Sequence, residues 1–116
     1  RAIVVIEQSI EKRFPDVNVV DLRDAWIDVL KRAKLHAHHH ISREELSVRE
    51  HMSFILKRLQ GSKFVEFSDL FDHARGTAVA VVHFLALLEL ARESLIDITQ
   101  AAPYAPIYVR LAYTPA

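Results

Sequence analysis

The chain has 116 residues, 51% of them hydrophobic, and its 15 basic residues equal its 15 acidic ones. That balance argues against a domain whose main task is to neutralise phosphates, which needs a basic surplus. The absence of cysteine excludes disulfides and thiolate metal sites and fits a cytosolic setting.

The length suits one compact domain, alone or with a helical extension. The chain opens at Arg1 rather than Met, which reads as a fragment of something longer. Ala2 to Phe14 is predicted as a short helix, with Ile3, Ile6 and Ile10 at helical spacing. Phe14-Pro15 ends it, because a residue before proline is pushed out of the helical region. Asp21 is expected to cap a second helix with apolar positions Leu22, Ala25, Trp26, Val29 and Leu30. Its other face is charged (Arg23, Asp24, Asp28, Lys31), so this helix needs something to lie on.

His36 to Ser42, HAHHHIS, reads as a connector. Ser47 and Glu50 form a capping box, each side chain satisfying the other's backbone donor. The helix that follows is expected to bury Val48, Met52, Ile55, Leu56 and Leu59, and Gly61 to stop it. Phe64 to Phe67 alternates enough for a short strand, and Ser68 and Asp69 open a brief helix through His73, anchored by Leu70 and Phe71. Arg75-Gly76 turns the chain and Thr77 is expected to cap a long apolar helix.

From Val79 to Ala91 only His83 and Glu89 are not apolar. The run falls short of the roughly 18 residues that span a bilayer, and no signal peptide or membrane span is expected. A helix apolar nearly all round must be covered on more than one side. Val81, Phe84, Leu88, Ala91 and Leu95 share one face, assigned here to the core. Ala80, His83, Leu87 and Leu90 share another, assigned to a partner, with a half-buried residue having one satisfied nitrogen as the alternative for His83. Leu95 to Thr99 and Ile107 to Tyr113 alternate around a loop with two prolines and read as a hairpin.

The order from Ser47 onward is helix, strand, helix, helix, strand, strand. That is the order of a winged helix, whose hairpin is the wing and whose two later helices occupy the helix-turn-helix place. The expected fold is mainly α (α+β). Residues 1–46 form a helical lead-in, and residues 47–116 a winged-helix domain with a small antiparallel sheet.

A DNA-reading helix presents a polar or basic face, whereas this one offers His83 amid alanine and leucine and no arginine before Arg92. Lys57, Arg58 and Lys63 leave room only for weak DNA contact. The cluster His36, His38, His39 and His40 has residues that bind metals but lacks a second pair of ligands at fixed spacing, so no metal is expected. His83 and Glu89 lie six apart on different faces and form no acid–base pair; Glu89 is expected to pair with Arg92. With two glycines in all, a phosphate-binding loop is excluded. No cofactor and no catalytic residue is expected.

The chain resembles the bacterial kleisins of the segregation and condensation protein A family. The likeness covers most of the chain: Leu22, Ala25 and Leu30 of the second helix; His38-His39-His40-Ile41; Leu46 to Met52; and Phe67 to Phe71. Its most specific part is Val82-His83-Phe84-Leu85-Ala86-Leu87-Leu88-Glu89-Leu90 followed by Gln100, Tyr104 and Ile107. The family's N-terminal helical domain has no counterpart here, as expected of a C-terminal piece. The resemblance implies a non-enzymatic, cytoplasmic, nucleoid-associated subunit of the bacterial condensin. In such complexes the kleisin's C-terminal winged helix docks on the ATPase head of one SMC subunit and its N-terminal domain binds the neck of the other. Segregation and condensation protein B holds the middle of the chain, and DNA is met only through the complex. Carried onto this sequence, the head contact falls on His83, Leu87 and Leu90, then Tyr104, Ile107 and Tyr108. Whether the second helix packs on the winged helix or meets protein B stays open at this level.

Overall fold

The computed structural model describes residues 15–35, 47–62 and 64–112. The expected Ala2–Phe14 helix, the histidine connector, Lys63 and Tyr113 lie outside them. The first described helix, α1 (Val19–Lys34), starts one turn earlier than the sequence suggested. Asn18 caps it: its side-chain oxygen accepts the N–H of Val20 at 2.9 Å and of Asp21 at 3.3 Å. Asp21, the expected cap, is freed for a distant contact described below. Lys31, Arg32 and Lys34 fill the last turn, where the helix dipole favours cations.

Helix α2 (Val48–Leu59) starts as anticipated, with Ser47 Oγ accepting the Glu50 N–H at 3.3 Å. It buries Ile55 and Leu59 completely, while Val48, Met52 and Leu56 are half-buried against the core. Gly61 follows at φ +77, the left-handed position at which a helix commonly ends. Strand β1 (Val65–Glu66) leads into two short 3-10 turns, Phe67–Leu70 and His73–Arg75, in place of the single brief helix expected. Asp72 separates them by accepting the Ala74 N–H at 3.2 Å, a local bond that competes with a continuous helix. Gly76 then begins α3 (Gly76–Arg92), so Thr77 lies inside the first turn and is not the cap.

Strands β2 (Ile96–Gln100) and β3 (Ile107–Leu111) form the expected antiparallel hairpin. β1 joins the far edge of β3, giving the order β1-β3-β2 with Val65 opposite Val109. Ile107 and Val109 face inward and Tyr108 outward, following the two-residue period of a strand. Three helices over a small sheet whose hairpin is a wing make this an α+β, winged-helix-like fold.

The core explains why α1 is held in place. Val29 and Ala33 of α1 are fully buried together with Ile55, Leu59, Leu87, Leu90 and Val109. Trp26 stacks on Phe84 of α3 with ring centroids 4.3 Å apart, and Phe67 meets Phe71 and Phe84 edge-on at 5.1 and 5.9 Å. Each such side chain contributes roughly 1.5–3 kcal/mol by leaving water. A boundary at Ser47 therefore does not separate α1 from the rest: the helix packs on the winged helix. His73–Arg92 is 20 residues long and apolar enough to cross a membrane by length and composition alone. Here one side of that stretch is covered by α1, α2 and the sheet, as in the central helix of a folded core.

Candidate partner-binding surface

Around α3 the structure divides apolar residues in a way the sequence did not. Val79, Ala80, Ala86, Leu87 and Leu90 form the buried side, with Leu87 and Leu90 at 0% exposure. Val81, Leu85 and Leu88 stand on the opposite side in solvent, Leu85 at 49%. Phe84 and Ala91 are half-buried and pack on the core as expected, but Val81, Leu88 and Leu95 do not. The assignment of Leu87 and Leu90 to a partner is thus corrected. The physical reason is that both faces carry alanine, valine and leucine, so periodicity alone cannot orient the helix. Neighbours decide: α1 reaches Phe84 through Trp26, α2 reaches His83 through His51, and the arc on the far side of the helix stays open.

That open arc holds Ala78, Val81, Leu85 and Leu88 at steps of three and four. It closes with an ion pair between Glu89 and Arg92, whose Nε donates to Glu89 Oε2 at 2.9 Å. The pair, expected from its spacing, holds the Glu89 carboxyl below its ordinary range. Phe54, at 52% exposure, adds a further apolar group on the adjoining helix.

His83 is no surface residue either. Its Nδ1 lies 2.8 Å from Nδ1 of His51, which is itself buried, with the two rings edge to face. One of the two nitrogens must donate and the other accept, so both rings cannot carry a proton at this contact. Burial, and then the charge of a protonated His51, push His83 down to about 4. Its Nε2 is buried and makes no hydrogen bond of good geometry among the described residues; the nearby Leu70 backbone offsets the shift only in part. His83 is a neutral, half-buried histidine, and its partner His51 escaped sequence reasoning. The signal was present: His51 occupies the same face of α2 as Ile55 and Leu59.

The wing supplies the second candidate region. Ile107 is buried beneath the sheet, which corrects its expected place at the surface. Tyr108 projects outward and meets Phe64 edge-on at 6.2 Å, while the Arg110 guanidinium lies 5.9 Å from the Phe64 ring centre. A shallow apolar recess of about 310 Å³ adjoins Tyr108, Phe64 and Pro15. Tyr104, at the tip, is 92% exposed.

A cleft of about 280 Å³ opens between α1 and the wing, lined by Asp24, Asp28 and Glu66 against a single Arg32. Carboxylates in that position repel phosphate rather than attract it. Among the described residues no three His, Asp or Glu side chains converge to hold a metal ion; the histidine cluster at 36–40 lies outside them.

The sequence of the chain is similar to known proteins over most of its length. The family model of the segregation and condensation protein ScpA matches residues 2–112. Segregation and condensation protein A of Xylella fastidiosa strain Temecula1 is 47% identical over 106 residues, which is 91% of this chain and 35% of that protein. The Coxiella burnetii protein of the same name is 42% identical over 99 residues, 85% of this chain and 37% of its own. That of Listeria innocua is 34% identical over 99 residues, 82% and 39% respectively. The chain thus spans a little over a third of the length of these relatives.

Proposed function

We propose, because this chain belongs to the segregation and condensation protein A family, that it is the C-terminal docking part of a kleisin in bacterial chromosome segregation and condensation. In this role it is a non-enzymatic, cytoplasmic bridge. It binds the ATPase head of an SMC subunit, while the rest of the full-length protein reaches the other SMC subunit and segregation and condensation protein B. DNA is engaged through the assembled complex. The observation that supports docking is the stripe Val81, Leu85 and Leu88: apolar, unbroken by charge and left in water on the central helix. Contiguous apolar surface is costly to leave exposed and typically marks a place where another macromolecule sits. Tyr104 and Tyr108 extend the contact onto the wing, with the ring-plus-hydroxyl chemistry enriched at interfaces.

Calorimetry of this chain with the SMC head domain of the same organism tests the proposal. A one-to-one complex that survives moderate salt is expected, and Leu85→Glu should abolish it while leaving the thermal melt nearly unchanged. Failure of the unmutated chain to bind a folded head would remove the docking role. A gel shift that ignores sequence and fades at modest salt would show only nonspecific charge contact with DNA.

A further inference from the structure

Gln100 is 4% exposed, and its amide is engaged at every face. Its Oε1 accepts the N–H of Asn18 at 3.1 Å; its Nε2 donates to Asp21 Oδ2 at 2.9 Å and to the Ala105 carbonyl at 3.0 Å. The same Asp21 oxygen accepts the N–H of Tyr104 at 2.8 Å. Four hydrogen bonds therefore join the start of α1, the end of β2 and the wing loop, groups about eighty positions apart in the chain. This is also why Asp21 does not cap its own helix.

Within this clamp Tyr104 sits at φ +66. A residue with a Cβ enters the left-handed region at a cost of roughly 1–2 kcal/mol, so something outside the residue must hold it there. The only side-chain acceptor on the Tyr104 N–H among the described residues is Asp21. What the strain achieves is the direction of the ring, which points into solvent and contributes nothing to the core. A loop fixed before it meets a partner loses less conformational freedom on binding than a mobile one.

We infer that Asp21 and Gln100 are positioning residues for the proposed head contact: they lock Tyr104 in its left-handed conformation, so that its ring is a pre-formed anchor for the SMC head. Through Asp21 and Asn18 the lock also makes the wing depend on α1 being seated. This rests on head docking as proposed above.

The test compares head binding of Tyr104→Ala, Asp21→Ala, Asp21→Asn and the double variant Asp21→Ala/Tyr104→Ala, with amide exchange at Tyr104 followed in parallel. Tyr104→Ala should weaken binding about tenfold, the scale of one interfacial anchor. Asp21→Ala should weaken it by a similar factor and speed exchange of the Tyr104 amide. The double variant should bind no worse than Tyr104→Ala, because Asp21 acts only through that ring. Asp21→Asn should stay within about twofold, since an amide oxygen accepts the same two bonds. Should Asp21→Ala melt, Asp21→Ser replaces it, polar at the helix start but too short to reach Tyr104. The inference is overturned if the two single losses multiply, or if the loop loosens while head binding holds. Unmutated chain that fails to bind the head strikes docking itself; loss on Leu85→Glu with indifference to Tyr104→Ala strikes the wing anchor alone.

Discussion

The outward stripe of α3 and the tip of the wing are both exposed, yet they are held in opposite ways. Behind Val81, Leu85 and Leu88 stands a layer of fully buried leucine, isoleucine and valine, and no single polar contact is decisive. Behind Tyr104 stands one carboxylate oxygen and one amide, and the loss of either leaves backbone groups without partners. The first surface is rigid because many weak contacts would have to fail together. The second is rigid only while a few directional ones persist. In the docking proposed above, the first contact would be insensitive to its surroundings and the second would depend on α1 remaining seated.

The largest expected effect breaks the first side of that contrast. Leu87→Ala should cost about 3 kcal/mol in urea unfolding, because it removes a fully buried side chain and leaves a cavity. Leu85→Ala, one position on the other side of the same helix, should cost about 0.5 kcal/mol or less while reducing head binding. Equal losses would mean that the two faces are not distinct.

Acidity comes next. The folded chain keeps His83 down to about 4, against an ordinary value of 6.5. The unfolded chain therefore takes up a proton first as pH falls. This contribution to stability is fully present above about pH 6.5 and is lost between there and pH 4. After allowance for partial exposure the loss is about 2 kcal/mol. His83→Leu should flatten that part of the pH profile relative to the unmutated chain; an unchanged slope would assign it to carboxylates instead.

Smaller still, Asn18→Ala should cost about 1 kcal/mol by uncapping α1. It should loosen the wing more than it loosens α3, as read by amide exchange, because the Asn18 backbone also enters the Gln100 clamp.

Much of this architecture was legible in the chain. Ser47 and Gly61 bracket α2 because a serine hydroxyl at a helix start and a glycine after its end do local work that no distant contact overrides. The hairpin was legible for the same reason, and in β3 the alternation of Ile107, Tyr108 and Val109 already encodes which side is wet; in β2 it does not, since Thr99 and Gln100 are both buried. What escaped was non-local. Asp21 looks like a cap until a loop some eighty residues away claims its oxygen. His83 stood between a partner contact and a half-buried residue until its Nδ1 is seen against that of His51, a residue thirty-two positions away that no local pattern links to it. Leu87 and Leu85 are chemically identical, and only the placement of α1 and α2 makes one core and the other surface. Of the six residues assigned to the partner from the sequence, Tyr104 and Tyr108 are exposed, while Leu87, Leu90 and Ile107 are core and His83 is half-buried against His51.

Trp26, the chain's single tryptophan, lies nearly parallel to Phe84 with an angle of 14° between the rings. Its indole is half-buried in the folded state, with one face laid from α1 onto α3, and any event that lifts α1 must hand that face to water. The protein consequently carries its own optical reporter. A red shift in emission on adding a partner would mean that α1 has been peeled away. Constant emission would mean that the partner settles on the outer surface without disturbing it, and no label is needed to tell the two apart.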